Sequence, residues 1–151
     1  MTKKVKTLPQ YPSELIRIAL DDLKKVEKDS RYVVDMRRWH MPDERRDPCS
    51  VCLAGSVIAK TFNEDPRIYL SPSSYDIKLE NKLLALNYFR VGDVSVAFTR
   101  LAYNNADYCK KDFSYSNGGV FDRNIESYTR DRKQFHKDMR KLARDLERAG
   151  Y

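Results

Sequence analysis

The residues of this chain whose types are suited to chemistry are three cysteines and two histidines: Cys49, Cys52, Cys109, His40 and His136. Cys49-Ser50-Val51-Cys52 places two thiols three positions apart, directly after Asp47-Pro48. Aspartate followed by proline reads as an N-cap and a first helical residue. At such a helix start, backbone N–H groups and the helix dipole favour a thiolate.

Against redox work, Cys52 falls in the apolar run Val51-Cys52-Leu53-Ala54, as a small core residue would. The alternating strands and helices of a thioredoxin-type fold are also missing, so buried structural thiols are expected. Zinc held by His40, Cys49, Cys52 and Cys109 has acceptable ligand types, but only one half of the usual paired motif is present. His40 then reads as a loop residue and Cys109 as a loop thiol. A cysteine nucleophile needs a base, and His136, on a strongly charged helix, reads as a surface residue. No phosphate-binding glycine loop, His-Glu-x-x-His pattern or isolated carboxylate pair stands out. No catalytic residue, metal ligand set or cofactor is assigned. A thiol-dependent or zinc-binding protein centred on Cys49 and Cys52 is the alternative reading.

Binding chemistry is better represented. The last helix carries Ile125, Tyr128, Arg132, Phe135, Met139, Leu142 and Leu146 at alternating steps of three and four, a seam polar only at Arg132. Opposite it fall Lys133, Lys137, Arg140, Lys141, Arg144 and Arg148, with Asp131, Asp138 and Asp145 along one flank. Such a face is either a solvated surface laced with ion pairs or a dock for phosphates or an acidic partner. Beside it runs a stretch containing Tyr103, Tyr108, Phe113, Tyr115 and Phe121, interleaved with Lys110 and Lys111. Aromatics among lysines can stack bases, line a protein interface or tie a long loop to the core.

The elements that must position these groups are helical. Pro12 to about Lys28 forms one apolar stripe through Leu15, Ile16, Ala19, Leu20, Leu23 and Val26. The β-favouring residues Tyr32, Val33 and Val34 predict a short extended segment within Arg31–Trp39. A helix over 49–62, apolar nearly all round, is expected at the centre. There Cys52, Gly55, Ser56 and Ala59 form a small-residue face that lets a neighbouring helix approach. Further helices are expected over about 75–90 and 94–103, with a corner at Val91-Gly92-Asp93 and a long loop over 104–121. The fold class is mainly α, about five helices around the buried helix 49–62, with a minor extended element near 32–36. Residues 1–10 read as a flexible basic tail and 11–151 as a single globular domain.

Composition agrees. With 151 residues, 41% hydrophobic and 34% charged, the chain is too apolar for disorder and too polar for a membrane protein. The run Val51–Ala59 is far short of the roughly 20 residues of a bilayer span. A basic opening with no apolar stretch after it predicts no secretory signal, and three cysteines without framework spacing suit a reducing cytoplasm. A formal net charge of +7 and a pI of about 9.3 attract polyanions and argue against an acidic mimic of the DNA backbone.

Tyr32, Asp35-Met36, Trp39-His40 and Cys49-Ser50-Val51-Cys52-Leu53-Ala54-Gly55-Ser56, with the later Ala85–Asp93 stretch, resemble small, largely uncharacterised proteins of bacteriophages and other mobile elements. In these a tryptophan precedes a Cys-x-x-Cys-Leu-Ala-Gly-type helix. The resemblance covers residues 32–94 and brings no catalytic residues. It implies an accessory protein acting in the host cytoplasm, one that engages a host or defence system. The function expected is therefore non-enzymatic: binding of a host or defence protein, or of nucleic acid, through a basic, aromatic C-terminal third.

Overall fold

The computed structural model describes residues 6–44, 48–88 and 127–151. The expected helix 94–103, the corner at 91–93 and the aromatic loop with its lysines lie outside these residues, as do Asp47, Cys109 and Ile125.

The fold is mainly helical with a small sheet. Helix α1, Pro12–Glu27, opens on proline, carries Glu14 in its first turn and Lys24 and Lys25 in its last, and buries the expected stripe from Leu15 to Val26. Three short strands follow: β1, Tyr32–Val34; β2, His40–Met41; and β3, Cys49–Val51. Strand β3 lies in the middle, parallel to β1 and antiparallel to β2. The extended segment expected near residue 32 is therefore a strand.

Helix α2, Leu53–Lys60, is central and buried from Leu53 to Ala59, but it is shorter than the helix expected over 49–62. The Asp-Pro start signal at 47–48 loses to tertiary pairing. The N–H of Cys49 donates to the carbonyl of Arg31 (2.9 Å) and that of Asp35 to Val51 (2.9 Å), so residues 49–51 satisfy β1 rather than a helical turn. The helix starts where that pairing stops. Cys52 is its N-cap, its sulfur accepting the N–H of Gly55 at 3.4 Å.

A 3-10 turn, Pro72–Ser74, leads to α3, Ile77–Tyr88, started by the Asp76 carboxylate, which accepts the N–H groups of Lys78 and Leu79 at 2.9 and 3.1 Å. Residues 127–130 are helical and break at Asp131, which caps α4, Arg132–Arg148, by accepting the N–H of Gln134 at 3.0 Å. The break moves Arg132 out of the seam and into solvent, while Phe135, Met139, Leu142 and Leu146 are buried.

One core joins α1, α2, α3 and α4, and a smaller cluster of Val26, Tyr32, Cys49, Val51 and Ala59 lies under the sheet. Leu8 is 5% exposed and belongs to the main core; its carbonyl accepts from Lys82 Nζ at 3.1 Å. No helix among the described residues is long and apolar enough to cross a membrane.

Candidate polyanion-binding face

Helix α4 packs beside α1, running the opposite way: Arg17 pairs with Glu147 at 2.6 Å, Asp21 with Arg140 at 3.8 Å and Glu27 with His136 at 2.9 Å. The apolar seam of α4 is buried by this packing, so its other side must face water. Lys133, Lys137, Lys141, Arg144 and Arg148 are exposed there and Arg140 is half-buried. At 100° per residue the six fall within an arc of about 100°. They extend along roughly 22 Å of helix, at 1.5 Å per residue.

Their pairing is uneven. Lys141 and Arg148 reach Asp145 at 2.6 and 3.8 Å. Lys133, Lys137 and Arg144 have no carboxylate within 4 Å among the described residues. The cations hold their neighbouring acids below the usual carboxylate range: Lys141 acts on Asp145 through a hydrogen bond, and Arg17 on Glu147 in the same way. The structure brings together all six basic residues expected on this helix; Tyr108, Lys110, Lys111 and Tyr115 lie outside the described residues.

Sequence periodicity did not reveal the α1 side of this face. Arg17, Leu20 and Asp21 from α1, with Arg140 and Arg144 from α4, line a cavity of about 310 Å³. The Nη2 of Arg140 is buried and has no hydrogen-bond partner among the described residues. The only advance signal was that Arg17 and Asp21 lie four apart, on one flank of the α1 stripe.

His136, expected at the surface, is instead buried between the helices, with its side chain 11% exposed. It sits on the flank of the seam that α1 covers. Its Nε2–H donates to Glu27 Oε1, which also accepts the Tyr128 hydroxyl at 2.9 Å. Burial, and then the Glu27 carboxylate, push the Tyr128 phenol well up.

The cysteines are placed differently from a reactive pair. Cys49 is on β3, 2% exposed, and burial pushes its thiol up to about 11. Cys52 is fully buried and spends its sulfur as a helix cap. His40, expected in a loop, forms β2 and is fully buried. Its Nδ1–H donates to the Ile68 carbonyl at 2.8 Å, and burial lowers its basicity. Among the described residues no three His, Cys, Asp or Glu side chains are grouped to hold a metal ion. A second cleft, about 920 Å³, has Tyr32, Cys49 and Ala59 in its wall and Arg31, Glu64, Asp65 and Arg67 among its charged lining. Arg31 and Arg67 are each paired there to an aspartate two residues earlier, at 2.7 Å.

No protein-family model, curated protein or solved structure matches the chain.

Proposed function

We propose that this chain is a non-enzymatic accessory protein, of the kind bacteriophages and other mobile elements encode, that binds a polyanionic macromolecule through the solvent face of α4. One observation carries the reading: six basic side chains share one face, and three of them have no acidic partner among the described residues. Charges needed only for folding are normally neutralised by neighbours or scattered; a one-signed row raises the local concentration of an oppositely charged partner. Tyr108, Lys110, Lys111 and Tyr115 extend the proposed surface. The resemblance in residues 32–94 supports the setting in a host cell.

Either an acidic host or defence protein or a nucleic acid supplies the required charge. The test is an affinity pull-down from host lysate, run with and without nuclease. Retention of one partner after nuclease treatment assigns a protein; loss of all capture assigns nucleic acid. The thiol reading centred on Cys49 and Cys52 has weaker support, because a thiol pushed up to about 11 is scarcely ionised near neutral pH. The zinc reading needs further ligands, and no third His, Cys, Asp or Glu is grouped with the two cysteines among the described residues.

A further inference from the structure

We infer that the cavity between α1 and α4 is a phosphate-binding notch, and that it seats a backbone phosphate of a nucleic-acid strand lying along α4. This rests on the proposed basic face and names the site within it. Three arginines, Arg17, Arg140 and Arg144, line about 310 Å³ together with Leu20 and Asp21. Arg17 is committed to Glu147 at 2.6 Å. Arg140 is not so committed: its Nη2 is 3.8 Å from Asp21 Oδ1, beyond hydrogen-bond length, and that one nitrogen is buried with no hydrogen-bond partner among the described residues. Leaving a buried charged donor without an acceptor is costly, so an acceptor entering the notch recovers that cost on binding. Arg144 also lines the notch and has no carboxylate within 4 Å among the described residues.

The chemistry of the ligand follows from this set. Planar guanidinium forks suit the paired oxygens of phosphate and carboxylate. Phosphate is favoured by what lies beside the notch. Lys133, Lys137 and Lys141 continue from it at four-residue steps, about 6 Å of helix each, so that one strand can place successive phosphates along the row. An acidic protein patch would need carboxylates at the same regular spacing.

The test measures binding of a fluorescein-labelled 16-nucleotide oligo-dT by anisotropy at two salt concentrations, with inorganic phosphate and poly-glutamate as competitors. Wild-type protein is expected to bind, and its affinity to fall steeply with salt. Arg144→Gln, an exposed change that leaves the melting temperature unaltered, should weaken binding roughly tenfold or more, the loss of one charge-assisted bond. Arg144→Lys should not restore it, because the fork is lost. Lys133→Gln should cost only about two- to threefold and flatten the salt dependence. Asp21→Asn removes the carboxylate that competes for Arg140 and should tighten binding, an effect that a purely structural role would not produce. If Arg144→Gln costs no more than Lys133→Gln and Asp21→Asn does not tighten binding, the notch is overturned while the basic face stands. If wild-type protein ignores oligo-dT but binds labelled poly-glutamate, the phosphate assignment is overturned and the face belongs to an acidic protein. If it binds neither, the notch and the proposed face fail together.

Discussion

A Cβ added to Gly55 would fall on the carbonyl oxygen of Trp39, well inside van der Waals contact, and 3.0 Å from the Cβ of Val51. At Gly55, helix α2 thus approaches the chain entering β2 rather than the neighbouring helix that its small-residue face suggests. Gly55→Ala should destabilise the protein by about 2 kcal/mol, even though alanine improves helix propensity by about 1 kcal/mol, because backbone must move. Equilibrium urea unfolding checks this; an unchanged or raised midpoint would show that the approach is loose.

Glu27 accepts from both Tyr128 and His136 through one oxygen. Glu27→Ala leaves two enclosed polar groups without their partner and should cost about 2–3 kcal/mol, whereas Glu27→Gln, which still accepts, should cost less. Thermal melts of both variants separate the two effects, and equal losses would mean that the packing of the side chain matters rather than its oxygen.

Much of the helical framework was legible because α1 and α4 are long enough to repeat their apolar period several times. The sheet was not. Strands of two and three residues show no period, and β3 is specified by a parallel partner seventeen positions away in sequence, Tyr32 against Cys49. His136 illustrates the same gap at the site. Periodicity places it on the edge of a seam, but which helix covers that edge depends on tertiary packing. The basic row was legible residue by residue; Arg17 and Asp21, which complete the notch, were not.

The acid limb of stability should depend on Asp29. Hydrogen bonds from Arg31 and then Lys60 hold its carboxyl well below the unfolded value of 3.8. A depressed folded value means that the stabilisation is complete above about pH 4 and is lost as pH falls further toward the folded value. Asp29→Asn should therefore lower the urea midpoint near neutral pH, with the gap to wild type narrowing between about pH 4 and about pH 2. A gap that stays constant over that range would contradict the pairing.

Cys49 should be slow to react. Its thiol is buried and pushed up to about 11, so alkylation at pH near 8, mapped by peptide mass spectrometry, should leave Cys49 and Cys52 unmodified until denaturant is added. Rapid native-state labelling of Cys49 would revive the thiol-centred reading.

The central claim is that the exposed side of α4 makes the binding contact, and charge reversal tests it most directly. Lys133, Lys137 and Arg144 have no acidic partner among the described residues, so the triple variant Lys133→Glu, Lys137→Glu, Arg144→Glu should keep the wild-type melting temperature to within a few degrees. The measurement is the affinity of this folded variant for the partner recovered from lysate, at low and moderate salt. The proposed function predicts a loss of tenfold or more and a shallower salt dependence. Wild-type affinity with unchanged salt dependence would contradict it and leave the face as a solvated surface.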